Sequence, residues 1–166
     1  MAQDSMKLAG KMEWVLTDED GNVKARGEAE NIITRTGAQM YAERGAGLAG
    51  APAAPTGMKL GTGTTATAKT GAGSFLTTYV ANSHQAFSGT PGSALQGDGR
   101  RITYAATFAA GKATSGTAIA EAVIVNEALT DATSTEANTI ARFLLSPAAP
   151  KGANDTLTLT WTHDIG

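Results

Sequence analysis

The chain contains no cysteine among its 166 residues. Disulfide bonds, thiolate metal sites and cysteine nucleophiles are therefore excluded together, and so are small scaffolds held together by disulfides. Charged residues make up only 17% of the chain, against roughly 25% in an average protein. Lys+Arg 13 and Asp+Glu 15 give a net charge of −2, so no basic excess is available to bind nucleic acid or an anionic membrane.

Long apolar runs are also lacking. No run approaches the roughly 20 residues that cross a bilayer. Residues 1–7 do not combine a basic start with an apolar stretch, as a signal peptide does. We therefore expect a soluble protein that is made in the cytosol and has no membrane partner.

Small residues take the place of the missing charges. Gly occurs 20 times, and hydrophobic residues reach 42% of the chain while the net charge stays near zero. Disordered chains show the opposite combination. We predict one folded domain over residues 1–166, in which residues 1–11 form an extended N-terminal arm.

The first half of the sequence predicts a β-hairpin and one short helix. Apolar and polar residues alternate in 10–17 and again in 23–30, and the turn residues of 18–22 lie between them. Thr36 is the predicted N-cap of a helix over residues 36–44, which glycines end.

The second half contains four clearer strands. Residues 102–108, 119–125, 140–145 and 156–162 all alternate with a period of two. Weaker strands are predicted at 58–62 and 80–87, and loops at 45–55, 61–73 and 88–99. Seven to nine antiparallel strands favour a mainly β fold, a jelly-roll-like antiparallel β-sandwich with one short α-helix.

Two motifs resemble ligand sites without completing them. Residues 63–70 have the spacing of a phosphate-binding loop, but Ala68 stands where the second glycine belongs. Asp18, Asp20 and Asn22 match the start of a calcium loop, whereas the glycine and the glutamate that such a loop requires are missing. We interpret the first motif as an exposed loop and the second as a hairpin turn.

No residues are predicted to form a catalytic, cofactor or metal site, and we expect no enzymatic activity. His84 and His163 are interpreted as polar surface residues, because neither has an evident activating partner.

Glu121 is unusual because the alternation of Ile119, Val123 and Val125 places it on an apolar face. Buried carboxylates are rare unless they are paired. Arg142 and Arg101 are both candidate partners in a structural ion pair. In the last strand the same alternation predicts that Trp161 lies in the core.

The order of several short segments resembles that of small structural proteins in the virions of tailed bacteriophages. These proteins combine a polar hairpin, an Asn-x-Ile-Thr-x-x-Gly segment before a helix, a Leu-Gly-Thr-Gly-x-Thr segment, an Ile-x-Glu strand, an Arg-Phe strand and a Thr/Leu strand with Trp. In this chain the corresponding residues are 14–22, 31–37, 60–65, 119–121, 142–143 and 155–161. The resemblance spans most of the chain, implies a function in assembly and brings no catalytic residues with it.

Two functions in the virion fit the resemblance. The first is a decoration or cement protein on the capsid surface, which implies the major capsid protein and further copies of this chain, as a dimer or trimer, as partners. The alternative is a component of the tail, baseplate or fibre. A carbohydrate-binding or hydrolytic domain is a third hypothesis, and the low aromatic content of 5% disfavours it. We favour decoration, with contacts through residues 61–73, 88–99 and the arm.

Overall fold

The computed structural model describes residues 7–166, which form nine β-strands and one α-helix. The strands are β1 (Leu8–Thr17), β2 (Val23–Ile33), β3 (Gly57–Gly61), β4 (Gln85–Ala86), β5 (Gly92–Gln96), β6 (Gly99–Phe108), β7 (Ile119–Val125), β8 (Thr139–Ala149) and β9 (Thr156–Ile165), and the helix α1 is Arg35–Gly45. Two 3-10 turns, Gly71–Ser74 and Glu136–Asn138, lie in loops. The predicted β-sandwich with one short α-helix is confirmed.

The strands follow one continuous antiparallel order, β4-β3-β7-β8-β2-β1-β9-β6-β5. This order divides into two sheets because β2 takes part in both. Most of β2 pairs with β1, whereas Ile32 and Ile33 at its end pair with β8. The first sheet is therefore β2-β1-β9-β6-β5, and the second sheet is β4-β3-β7-β8-β2.

The main core lies between the two sheets. The inward positions of β1, β6 and β9 alternate with exposed or half-buried ones, as the sequence predicts. Trp161 is completely buried, which confirms its predicted place in the core. The largest apolar side chains of the first sheet in this core are Met12, Trp14, Leu16, Phe108, Leu157, Leu159 and Trp161, and those of the second sheet include Met58, Leu60, Ile124 and Phe143.

Helix α1 packs against β8 and places Met40 in the main core. Its N-cap is Thr34, whose hydroxyl accepts the Gly37 N–H at 3.0 Å. The prediction of Thr36 as N-cap is wrong because the Thr36 hydroxyl donates to the carbonyl of Glu136 instead. Within residues 7–166, no helix has the length and the apolar character needed to cross a membrane.

Loops form a further layer over the outer face of the second sheet. In β7, Ala122 and Ile124 point into the main core, whereas Val123 and Val125 pack with Leu76 in a second, smaller cluster under the loops. An irregularity in the β7–β8 pairing lies between Ile119 and Glu121. Ile119 belongs to the main core, so it does not share a face with Val123 as the alternation predicted.

Three predicted boundaries differ from the structure. The loop predicted at 88–99 contains β5, and the strand predicted at 80–87 shortens to β4. Residues 8–11 belong to β1 and pair with β9, so this part of the predicted arm is strand. Residues 1–6 of that arm lie outside the described residues.

Candidate assembly surface

Glu121 and Arg142 form an ion pair on the outer face of the second sheet. Glu121 lies in β7 and Arg142 in β8, and both side chains are 0% exposed. Arg142 Nη2 lies 2.6 Å and its Nε 3.1 Å from Oε2 of Glu121. The predicted structural ion pair is therefore confirmed with Arg142 as the partner, because adjacent strands bring the two side chains together.

The Glu121 carboxylate also binds the backbone of residues 62–78, which we call the anchored loop. It accepts N–H groups from Gly63 at 3.1 Å, from Thr77 at 3.0 Å and from Thr78 at 2.8 Å. These three donors come from the two ends of the loop. One buried carboxylate thus holds both ends together against β7.

Arg142 binds the interior of the same loop. Its Nη1 donates to the carbonyl of Thr65 at 2.8 Å and to that of Gly73 at 3.2 Å. Burying two charges costs free energy, and only good geometry with further hydrogen bonds offsets that cost. Here those further bonds all go to the anchored loop, so the pair fixes the loop's conformation.

Close packing of glycine against the carboxylate completes this attachment. A Cβ atom at Gly63 would lie 2.5 Å from Oε1 of Glu121 and would also clash with the Thr77 hydroxyl. At Gly61 a Cβ atom would lie equally close, 2.5 Å, to the same oxygen. The Leu-Gly-Thr-Gly segment therefore requires glycine at both positions, because a larger side chain would displace Glu121.

The tip of the anchored loop is exposed. Residues 64–67, with the sequence Thr-Thr-Ala-Thr, all lie at the surface, while Gly63 and Gly73 on either side are buried. The prediction of an irregular loop at 61–73 is confirmed, but its two ends are buried rather than exposed. The result is a small surface of hydroxyl and methyl groups with a fixed backbone.

The incomplete phosphate-binding motif belongs to this loop. The strand β3 precedes it, but a 3-10 turn of four residues, Gly71–Ser74, follows where a phosphate loop needs a helix. Lys69 is exposed, and its carbonyl accepts the N–H of Arg35. The motif therefore lacks the helix N-terminus of a phosphate-binding loop and is part of the anchored loop.

Lys59 is a buried charge that the sequence does not reveal. It lies in β3, and its Nζ is 2.8 Å from Oε1 of Glu127 and 2.8 Å from the carbonyl of Ala132. The side chain of Lys59 is 0% exposed. It fixes residues 126–138 to the second sheet as the Glu121–Arg142 pair fixes the anchored loop, so ion pairs attach both covering loops.

The hairpin of β5 and β6 forms the free end of the first sheet. Every residue of β5 is exposed, and Leu95 is 75% exposed, the most of any large hydrophobic residue described. Arg101 in β6, the other candidate partner of Glu121, instead binds Asp164 of β9 through two 2.7 Å contacts. This ion pair fixes the hairpin to β9.

His163 is buried, so its prediction as a surface residue is wrong. Its Nδ1 lies 2.7 Å from the Tyr41 hydroxyl, which lies 2.8 Å from that of Tyr104. Burial lowers the pKa of His163 to about 4. Because Nε2 lies 3.3 Å from the amide nitrogen of Asn31, a neutral imidazole that donates from Nδ1 satisfies both contacts. The hydrogen bonds among Tyr41, Tyr104 and His163 therefore join α1 to the first sheet.

The other polar residues singled out in the sequence lie apart. His84 is half-buried, with Nδ1 3.4 Å from the Tyr79 hydroxyl and 3.9 Å from Asp131. Asp18 accepts the N–H groups of Asp20 and of Asn22, which confirms the hairpin turn. Across residues 7–166, no group of three or more His, Asp or Glu side chains is arranged to hold a metal ion.

Three of the sequence segments that were compared above with virion proteins meet at the ion pair. Residues 60–65 supply the glycines and the start of the anchored loop, 119–121 supply the carboxylate, and 142–143 supply the guanidinium. A comparison with protein-family models, curated proteins and solved structures finds no match to the chain.

Proposed function

We propose that this chain is a decoration, or cement, protein of a tailed bacteriophage, which binds the outside of the major capsid lattice and stabilises the head. The observation that carries the proposal is the anchored loop. A fully buried ion pair holds an exposed tip of four small residues in one conformation. Such an arrangement suits a rigid contact surface, and three of the six segments that resemble those of virion proteins contribute to it.

A fixed surface of small residues suits binding to a repeating lattice. Its backbone is already ordered, so association loses little conformational entropy there. Threonine and alanine side chains also need little desolvation compared with charged ones. A protein that binds only the assembled capsid stabilises it by mass action, and many weak contacts add up through multivalency.

The proposed partner is the major capsid protein, and the proposed location is the outer surface of the virion. We assign the contact to residues 64–67 at the tip of the anchored loop. Exposed backbone and hydroxyl groups there can bind a neighbouring subunit. The chain itself acts as a homo-oligomer, so that one assembly bridges several capsid subunits.

Co-sedimentation with capsids that lack the protein tests this proposal. We expect the chain to sediment with such capsids and to raise the temperature at which they open. The variant Ala66→Glu/Thr67→Glu places two charges on the tip and is expected to weaken binding. The matched control, Ala110→Glu/Thr114→Glu, adds the same charges to the loop between β6 and β7, where both residues are also exposed.

Two outcomes contradict the proposal. Binding to tails or baseplates but not to capsids would favour the alternative function in the tail. Equal loss of capsid binding in the tip variant and in the control would show that the tip is not the contact. Circular dichroism and melting curves of both variants establish that each one is folded.

A further inference from the structure

We propose that two copies of this chain pair edge to edge through β5. The first sheet of one copy then continues into the first sheet of the other across a twofold axis. The strand β5 is the last strand of the first sheet and pairs only with β6. Dimer formation does not depend on the capsid function proposed above.

The edge of β5 lacks the features that usually prevent edge pairing. Exposed edge strands are commonly protected by charged side chains, by proline or by a covering segment. No charged residue occurs from Gln85 to Gly97, and Pro91 lies just before the strand. All five residues of β5 are exposed, so no part of residues 7–166 covers this edge.

The hairpin turn determines which backbone groups are free. Gly97 and Asp98 form a two-residue turn between Gln96 and Gly99, with Gly97 at φ +56°. In such a hairpin the flanking pair exchanges hydrogen bonds, and bonded and non-bonded pairs then alternate along the ladder. The N–H and C=O groups of Ser93 and Leu95 consequently point away from β6, toward the free edge.

A second copy fits these groups in one antiparallel register. With Ala94 opposite the partner's Ala94, each Ser93 faces the partner's Leu95, and about four backbone hydrogen bonds form. Pro91, which cannot donate, then falls opposite the partner's Gly97, outside the bonded pairs. Because β5 carries no charged residue, no like charges meet between the two paired strands.

The exposed leucine gains a neighbour in this arrangement. Leu95 and the partner's Leu95 point to the same face and are diagonal neighbours, roughly 7–8 Å apart at Cα and within reach of each other's side chains. Ser93 is small, and the half-buried Ile102 lies opposite it in β6. The partner's leucine therefore lies beside Ser93 and diagonal to Leu95, whose own neighbour in β6 is the exposed Arg100.

The opposite end of the strand order favours a closed dimer over a fibre. Head-to-tail growth would need a second long edge, because a heterologous contact joins two different surfaces. The other terminal strand, β4, has only two residues, Gln85–Ala86. Residues 23–31 of β2 also pair on one side only, but Lys24, Arg26, Glu28 and Glu30 protect that edge with charge. Within the described chain, β5 is thus the long free edge without charges, and a twofold contact pairs its free backbone groups.

Sedimentation of the purified chain without capsids tests the pairing. We expect a concentration-dependent dimer, and Leu95→Lys and Leu95→Glu are each expected to raise its Kd by about tenfold or more, as for the loss of one central contact. A mixture of the two variants should recover association, since opposite charges then face each other across the axis. The control Leu48→Lys alters another exposed leucine and should leave the dimer unchanged.

Cross-linking tests the register. The chain has no cysteine, so Ala94→Cys introduces a single thiol per copy. The proposed register brings the two Cα atoms to about 4.5 Å, within the range of a disulfide. Mild oxidation should give a covalent dimer for Ala94→Cys but not for Ala128→Cys. A monomer at all concentrations, or an unchanged Kd in Leu95→Lys, would overturn the proposal.

Discussion

The ring of Phe143 lies 6.2 Å from that of Trp161 at an interplanar angle of 67°, an edge-to-face contact between the two sheets. Phe143 comes from β8 and Trp161 from β9, and neither side chain is exposed. Aromatic pairs in this geometry stabilise a core beyond the area that they bury. The two sheets are therefore held together by this aromatic contact in the core as well as by the shared strand β2.

Trp161→Ala is expected to lower stability sharply. Removing an aromatic side chain from a packed core costs about 3–5 kcal/mol, which corresponds to a fall in Tm of about 10 °C or more in a domain of this size. Thermal unfolding followed by circular dichroism measures the shift. Leu48→Ala, at an exposed position, serves as the control and should change Tm little. A shift of only a degree or two for Trp161→Ala would contradict its place in the core.

Arg142→Ala is expected to destabilise the protein by about 3–5 kcal/mol, because it leaves the buried carboxylate of Glu121 without its partner. Denaturant unfolding measures the loss. In contrast, Arg101→Ala removes a pair that is more than one third exposed and should lower the free energy of unfolding much less. The double variant Glu121→Gln/Arg142→Met should be more stable than Arg142→Ala.

Gly63→Ala should destabilise the protein by about 1–3 kcal/mol, the usual cost of forcing an additional methyl group into packed structure. Hydrogen exchange is expected to rise in the anchored loop, since the new methyl displaces Glu121 from its three N–H donors. Gly45→Ala is the matched control, because nothing lies within 4 Å of a Cβ atom there. Equal effects of the two substitutions would argue against the close packing.

The free energy of unfolding is expected to decrease as pH is lowered through the range in which His163 titrates. The pKa of His163 is about 4 in the folded chain, below the ordinary value of 6.5. The unfolded chain therefore binds a proton first as pH falls from 6.5 toward 4, and unfolding becomes more favourable by on the order of 3 kcal/mol. Above pH 6.5 the imidazole is neutral in both states, so this destabilisation is absent. Urea unfolding at several pH values measures it, and His163→Gln should flatten the dependence between pH 6.5 and 4.

The sequence predicts the strands that have one solvent-exposed face and one buried face. The strands β1, β6 and β9 alternate between core and surface, so their composition reveals them. The strand β5 does not, because both of its faces are exposed. Its glycine and serine, with the preceding proline, are also typical of a turn, and pairing with β6 is what makes it a strand.

The candidate surface could be predicted only in part. Alternation in β7 identifies Glu121 as a buried charge that needs a partner, but the choice of Arg142 over Arg101 depends on which strands are adjacent. Lys59 is buried by a loop, and periodicity carries no information about where a loop lies. His163 was predictable, since it continues the inward series that ends with Trp161 two residues before it.

The position of β9 has a consequence for the order in which the protein folds. It lies between β1 and β6 in the first sheet, and its ten residues pair with β1 from Leu8 to Thr17. During synthesis the hairpin of β1 and β2 and that of β5 and β6 can form early, but each keeps a free inner edge until residues 156–165 leave the ribosome. Long-range pairing of this kind slows folding, and unpaired edges are prone to aggregation. A strand that is made after both hairpins is thus the one that joins them into a sheet.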